Sequence, residues 1–189
     1  IMKYVHPDDT NRKEIKPKAE PAIRFAEILL IYAEALNELE EGANYDVPSW
    51  DSSTTYSIKR DIDEMKKGIR PIRRRAGVPD YDLETVYKSQ DEFRKKMKKE
   101  RQIELMAEGQ RYFDLRRWKD AEVEESKKNY GCNFYMSDSK DQKEQFYTPI
   151  EITDLPTAFS RKLYFWPISH EELKRNKRLT QNPGWTYND

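Results

Sequence analysis

Three glutamates, Glu100, Glu104 and Glu108, follow one another at four-residue steps, a spacing that places them on one face of a helix. Two carboxylates about 5 Å or more apart can hydrolyse a glycosidic bond. A catalytic acid must also be buried in a cleft that raises its pKa, whereas arginines from Arg101 to Arg117 surround these glutamates in the sequence. A glycosidase that uses Glu100 and Glu104 is therefore one hypothesis. The arginines favour the other, an Arg–Glu network between two helices.

Three aromatic residues, Tyr45, Trp50 and Tyr56, lie outside any helical stripe, in a loop predicted over residues 42–57 that is rich in Ser, Thr, Asn and Asp. Flat aromatic faces suit the C–H faces of sugars, and neighbouring Asn and Asp side chains can bind sugar hydroxyls. Alternatively, the three residues cover the core beneath a long loop. Trp50, with Tyr45 and Tyr56, is the candidate ligand-binding set.

The residues that usually bind metals or act as nucleophiles form no motif. His6 and His170 are far apart, neither lies in an HExxH or ExxH motif, and Cys132 is the single cysteine, so no spacing supports a zinc or di-iron site or an internal disulfide. Nucleophile elbows, Walker loops and GxGxxG turns are also absent from the sequence. We predict no metal site, no cofactor and no catalytic residue.

A run of three arginines, Arg73, Arg74 and Arg75, resembles a nucleic-acid patch when taken alone. However, the 189 residues balance 35 Lys and Arg against 35 Asp and Glu, and binding to nucleic acid or to an anionic membrane surface needs a net basic face. Nearby acidic residues are the expected partners of this run. We predict that the chain does not bind nucleic acid.

Apolar periodicity predicts a mostly helical chain. Predicted helices cover Ala22 to Glu41, Ser57 to Lys67 (broken or restarted at Gly68 and Pro71), Ser89 to Ala107 (with a Ser89–Glu92 capping box) and a segment from Gly109 to Trp118. From Glu122 to Leu163 we expect long loops with a short strand pair, followed by an extended segment over Tyr164 to Trp166 and a helical turn over His170 to Lys174.

The composition indicates a folded domain with a charged surface. Mean hydropathy is −1.08 and 37% of residues are charged, but 12% are aromatic, more than is usual in disordered chains. No apolar stretch is long enough to span a bilayer. The first residues, IMKYVHPDDT, lack an initiator methionine and a signal core, so we expect any leader or lipid anchor to lie outside this chain.

Four segments together resemble the C-terminal half of the RagB/SusD family, the surface nutrient-binding lipoproteins of Bacteroidetes. In order along the chain they are RFAEILLIYAEALNEL (24–39), IRPIRRRAGVP (69–79), ERQIELMAEGQRYFDLRRW (100–118) and YFWPISHEELKRNKRLTQNPGW (164–185). The third matches the family signature position for position. The family's PIP appears here as Pro167-Ile168-Ser169, a mild change.

The resemblance implies a mostly α fold of tetratricopeptide-like helix pairs, a SusD-like alpha-alpha superhelix with long irregular loops. Residues 1–189 would form the C-terminal part of a single domain whose N-terminal half is not present in this chain. The implied function is non-catalytic capture of oligosaccharides or other nutrients at the outer-membrane surface. The protein would act as a lid on a SusC-like TonB-dependent transporter, which takes the nutrients up. Membrane contact would be made only through a lipid anchor outside this chain.

The signature also has a physical explanation that needs no ligand. Its charged members form a predicted structural salt-bridge network: Glu100, Glu104, Glu108, Arg111, Asp114 and Arg117. The glutamates are expected to pair with Arg111, Arg117 and the arginine run, and Asp114 with Arg117. The alternative function is a helical, tetratricopeptide-like interaction module that binds a protein partner and no sugar.

Overall fold

The structure is a computed structural model that describes residues 21–132, 146–154 and 157–186. The chain divides into two compact units, residues 1–108 and 109–189, and helices are the main element in the described residues. His6 lies outside the described residues. Within the described part, no helix is both long and apolar enough to cross a membrane.

The first unit contains three long helices and a β-hairpin. In chain order its elements are α1 (Phe25–Asn37), β1 (Asn44–Pro48), β2 (Thr55–Lys59), α2 (Ile62–Arg75), a π-helical turn (Leu83–Tyr87) and α3 (Gln90–Glu104). The Asp61 side chain caps α2 by accepting from two backbone N–H groups, and Ser89 Oγ caps α3 by accepting from the Glu92 N–H at 3.3 Å. The predicted cap at Ser89 is thus confirmed.

Helices α1 and α2 pack antiparallel at very short range. The Tyr32 hydroxyl donates to Glu64 at 2.8 Å, and one turn along, Gly68 faces Leu29 and Ala33. A Cβ on Gly68 would lie 2.6 Å from the Leu29 carbonyl oxygen and 2.8 Å from Ala33 Cβ. The two backbones can approach this closely because residue 68 has no side chain.

Helix α3 packs on the same helix α1, again antiparallel. The Asn37 amide donates to the Gln90 carbonyl at 3.0 Å and the Gln90 amide donates to the Asn37 carbonyl at 2.5 Å, while Arg94 lies against Glu38 at 2.8 Å. The apolar core of this unit is supplied by all three helices and the π-helical turn: Ala26, Leu30, Ala33, Leu36, Met65, Ile69, Ile72, Val86, Tyr87, Phe93, Met97 and Leu105.

Three predictions for this unit are wrong. Helix α2 does not break at Gly68 or Pro71 but continues to Arg75, because burial of Ile69 and Ile72 on either side of Pro71 offsets the one backbone hydrogen bond that a proline removes. The predicted loop over residues 42–57 is instead largely the β1–β2 hairpin. Residues 57–59, predicted as helix, belong to β2.

The second unit is built from shorter elements: α4 (Gln110–Arg117), α5 (Ala121–Glu124), β3 (Asn129–Gly131), β4 (Ile150–Ile152), a 3₁₀ turn (Arg161–Tyr164) and α6 (His170–Arg175). The pairing of β3 with β4 confirms the expected short strand pair, and α6 confirms the expected helical turn. Tyr164 belongs to the 3₁₀ turn rather than to an extended segment. The Trp185 indole N–H is 3.0 Å from the carbonyl oxygens of Lys162 and Phe165, which ties the last described residues to this turn.

The close approach at Gly68 predicts the sign of the stability change that Gly68→Ala causes. Helix propensity alone predicts that Gly68→Ala stabilises the protein by about 1 kcal/mol. We expect instead a loss of about 1–3 kcal/mol in the free energy of unfolding, because the added methyl group collides with α1. Urea unfolding of Gly68→Ala, with the neighbouring exposed Lys67→Ala as control, measures this; a more stable Gly68→Ala protein would show that α1 and α2 are not so closely packed.

Candidate functional site

The β1–β2 hairpin has one apolar and one polar face. Its antiparallel register pairs Tyr45 with Ile58 and Val47 with Tyr56. Residues directly opposite each other, and those two apart on one strand, share a face of a sheet. Tyr45, Val47, Tyr56 and Ile58 therefore form a common face, which we call the aromatic face, and Asn44, Asp46, Ser57 and Lys59 occupy the other.

The aromatic face is open to solvent. Tyr45 is 38% exposed, Tyr56 is 56% exposed, and Trp50, in the turn between the strands, is 97% exposed. An aromatic side chain that covers a core would lose most of its exposed surface, so Trp50 does not serve that purpose in the first unit. Val47 and Ile58 were not among the predicted site residues, and Ile58 was predicted to lie in a helix, although their alternation with Tyr45 and Tyr56 is the usual strand signal.

The turn that carries Trp50 is organised by Asp51. Its carboxylate accepts hydrogen bonds from the Ser49 hydroxyl at 2.6 Å, the Ser53 hydroxyl at 2.8 Å and the Ser53 N–H at 3.1 Å. The hydroxyls of Ser49 and Ser53 and the Ser53 N–H lower the pKa of Asp51 to about 2, because they stabilise its charged form. Trp50 is thus presented on a turn with a defined conformation.

The predicted glutamate cluster lies where the ends of three helices meet. Arg24, at the start of α1, binds Glu108 through two nitrogens at 2.8 and 2.7 Å and Glu104 Oε1 through Nη2 at 2.9 Å. Arg24 Nη2 also donates to the Glu104 carbonyl at 3.0 Å, at the negative end of α3. Arg75, in the last turn of α2, reaches Glu104 at 2.5 Å. Arg24 was not included in the predicted network.

The third glutamate of the cluster, Glu100, is almost fully buried. Arg73 Nη1 and the Tyr81 hydroxyl both contact its Oε2 at 2.6 Å. The Arg73 guanidinium also lies 4.1 Å from the centre of the Tyr81 ring, a cation–π distance, and Arg73 Nε donates to the Pro79 carbonyl at 2.7 Å. The arginine run thus has carboxylate partners within its own unit.

This arrangement keeps the Glu104 carboxylate ionised and does not favour acid catalysis by this residue. Burial opposes ionisation of Glu104, but the hydrogen bonds from Arg75 and Arg24 outweigh it and lower the pKa below its usual value of 4.5. A general acid needs the opposite shift. The same pairing favours the charged form of Arg24: its hydrogen bond to Glu108 outweighs the loss of solvation and raises the pKa of Arg24.

The remaining predicted network residues lie in the second unit. Arg117 Nη2 is 2.8 Å from the buried Asp114, within one turn of α4. Arg111 pairs with Glu124 at 3.1 Å, and Arg116 with Glu125 at 2.8 Å. The expected pairing of Arg111 and Arg117 with the glutamates of the first unit stays a prediction.

Metal-binding side chains are not grouped in the described ranges. Among residues 21–132, 146–154 and 157–186, no three His, Cys, Asp or Glu side chains are placed so that they could hold a metal ion. Cys132 is exposed and unpaired, and His170 is the first residue of α6.

The charge of Glu104 gives a pH-dependent prediction. We expect Glu104→Gln to lower the free energy of unfolding by about 2 kcal/mol at pH 7, because Arg24 and Arg75 lose a partner in a poorly hydrated site. Since the pKa of Glu104 is lower in the folded than in the unfolded protein, its contribution is complete above pH 4.5 and is lost as the pH falls through the folded value.

Urea unfolding between pH 3 and pH 7 tests this expectation, with the exposed Glu92→Gln on the same helix as the control. The control should change stability by less than about 0.5 kcal/mol. A difference between Glu104→Gln and the unaltered chain that does not shrink below pH 4.5 would contradict the assignment.

Comparison with known proteins places this chain in a family. The sequence profile of the SusD family matches residues 1–185, and proteins of this family are non-catalytic binding proteins. No curated protein matches the sequence.

A solved structure supports the same relationship. The crystal structure of a SusD-like protein from Bacteroides fragilis is similar over 87% of this chain, with a TM-score of 0.60 and 26% sequence identity. The similar region is 25% of that protein's chain, so the present chain spans about a quarter of the length of the protein that it matches. Because the family profile covers almost every residue and the fold agrees, the chain belongs to the SusD family.

Proposed function

We propose that this chain belongs to a protein that captures oligosaccharides at the outer-membrane surface for uptake through a SusC-like TonB-dependent transporter, without chemical reaction. Family membership supports surface glycan binding together with a transporter of this kind. The aromatic face is the observation in this chain that carries the proposal. Tyr45, Tyr56 and the adjacent turn residue Trp50 display aromatic side chains to solvent near hydroxyl and carboxylate groups.

In this proposal Trp50, Tyr45 and Tyr56 stack on sugar rings. A pyranose presents a C–H face that an aromatic ring can cover, and its hydroxyls need hydrogen-bond partners at the edge. The turn residues Ser49 and Asp51 lie beside Trp50 in the sequence, and Asp51 is exposed to solvent. Because the turn is already ordered by its own hydrogen bonds, little conformational entropy is lost on binding.

The helices would serve as the scaffold. The antiparallel packing of α1 against α2 and α3 supports a tetratricopeptide-like arrangement, in which such helix pairs stack into a superhelix. In the whole protein, a lipid anchor would hold the molecule at the outer membrane. The hairpin would then project from the helical scaffold toward soluble glycan.

Affinity electrophoresis of the chain against a panel of polysaccharides tests this function. We expect retardation by at least one polysaccharide and a loss of at least about tenfold in affinity, about 1.4 kcal/mol, in Trp50→Ala. The matched control is Trp166→Ala, which removes another strongly exposed tryptophan, in the second unit, and should leave the retardation unchanged. Retardation that is equal in the two variants would remove Trp50 from the site, and no retardation by any polysaccharide would overturn glycan capture by this chain.

The second candidate function is a protein-interaction module, and one feature of α1 favours it. Besides its buried face, α1 carries exposed apolar side chains on its outer side: Phe25 is 75% exposed, Ile28 48% and Ile31 46%. Scattered exposed apolar residues are ordinary, but a contiguous row on one helix marks an interaction surface. The partner in this case is the transporter barrel.

Replacement of Ile28 by Glu separates the two functions. If the outer side of α1 binds the transporter, Ile28→Glu should abolish co-purification with the barrel while Trp50→Ala retains it. Glycan retardation should show the reverse pattern. Ile28 is about half exposed, so the folded state should tolerate the change, which circular dichroism checks. Unchanged co-purification of Ile28→Glu would remove this surface from the interface.

A further inference from the structure

A pocket of about 710 Å³ lies within the second unit, away from the hairpin in the sequence. Its lining is drawn from α4 and the residues after it, the 3₁₀ turn and the last described segment: Arg116, Arg117, Lys119, Glu122, Arg161, Lys162, Tyr164, Phe165, Pro183 and Gly184. The volume falls in the range of about 300–1,000 Å³ that small-molecule sites occupy.

The pocket is strongly cationic. Five of its lining residues carry a positive charge and one, Glu122, carries a negative charge. Arg116 and Arg117 are held by Glu125 and Asp114, both outside the lining. Lys119 has no side-chain partner in the described part of the chain, which leaves at least one positive charge available to a ligand.

Two lining residues also carry buried polar atoms without a hydrogen-bond partner in the described residues: Arg116 Nε and the Tyr164 hydroxyl. The other nitrogens of Arg116 are satisfied by the Tyr112 carbonyl and Glu125. An N–H or O–H group that is buried without a partner destabilises a protein, so both groups would gain from an acceptor that a ligand brought within reach.

Part of the pocket lining is apolar and closely packed. Phe165 and Pro183 contribute apolar surface, and Lys162 lies over the Trp185 ring at 4.2 Å from its centre. Gly184 has a φ of +86°, and a Cβ there would lie 2.7 Å from Lys162 Cβ. A glycine is therefore needed for the chain to fold back beside the 3₁₀ turn and close this part of the pocket.

We propose that this pocket binds an acidic sugar, a pyranose that carries a carboxylate or a sulfate ester. Lys119 and the arginines would hold the anionic group, Tyr164 and Arg116 would donate hydrogen bonds from their free positions, and Phe165 and Pro183 would contact the apolar sugar face. The proposal rests on the proposed function in one respect, namely that the ligand is a carbohydrate. It adds a second site, in the other unit, that selects for charge.

Isothermal titration calorimetry of the chain at constant ionic strength tests this inference with four probes: trigalacturonate, a sulfated galactose disaccharide, neutral galactotriose and sodium sulfate. We expect one of the two acidic sugars to bind at least tenfold more tightly than galactotriose and sodium sulfate. Binding of trigalacturonate identifies a carboxylate ligand, and binding of the sulfated disaccharide identifies a sulfate ester. Sodium sulfate that binds as tightly as the acidic sugars would overturn the proposal, since the pocket would then recognise the ion alone.

Two variants locate the binding. Lys119→Gln should weaken binding of the acidic sugar at least tenfold, whereas Lys174→Gln, an exposed lysine on α6 away from the pocket, should have no effect. Tyr164→Phe should weaken binding several-fold without lowering the thermal midpoint, because the hydroxyl has no partner among the described residues. A lower midpoint for Tyr164→Phe, or equal effects of the two lysine variants, would overturn the site.

The result is separable from that of the proposed function. If Trp50→Ala abolishes retardation by a neutral polysaccharide while no acidic probe binds, glycan capture stands and the acidic pocket is overturned. If acidic sugars bind and the Lys119→Gln variant loses them, the pocket is supported whatever the outcome at Trp50. If no carbohydrate binds in either assay, both proposals are overturned.

Discussion

Ionised carboxylates in poorly hydrated surroundings must have partners, and the first unit is organised around this constraint. Glu100 and Glu104 lie at the end of α3 with little exposure to solvent. Their partners come from the start of α1 and the end of α2, so the charges can be satisfied only when all three helices are in place. The cluster therefore specifies how the helices meet, in addition to any stability that it contributes.

The same constraint separates scaffold from function. Charged residues at the helix ends pair with one another, and the lowered pKa of Glu104 keeps this residue ionised, which is the opposite of what a general acid needs. The ligand sites that we propose lie elsewhere, on the hairpin and in the pocket of the second unit. This division agrees with a family whose members bind ligands without reaction.

The two proposed sites would bind their ligands through different interactions. The hairpin exposes flat apolar surface on a turn that is already ordered, which suits neutral sugar faces. The pocket combines cations, donors without a partner among the described residues, and an apolar part of its lining, which suits a charged sugar. Binding at both sites would allow one protein to discriminate by ring shape at one and by charge at the other.

The sequence by itself determined helices α1, α3 and α4, the cap at Ser89 and the family, because these depend on local periodicity and on motifs that keep a fixed spacing. It also indicated an Arg–Glu network, but only the tertiary structure decided that Arg24 is a central partner, since residues 24 and 104 are brought together by packing. The continuity of α2 through Gly68 and Pro71 was likewise decided by contacts with α1, which outweigh local helix propensity. The hairpin face and the pocket required the fold as well, because the exposure of a side chain is a property of its neighbours in space.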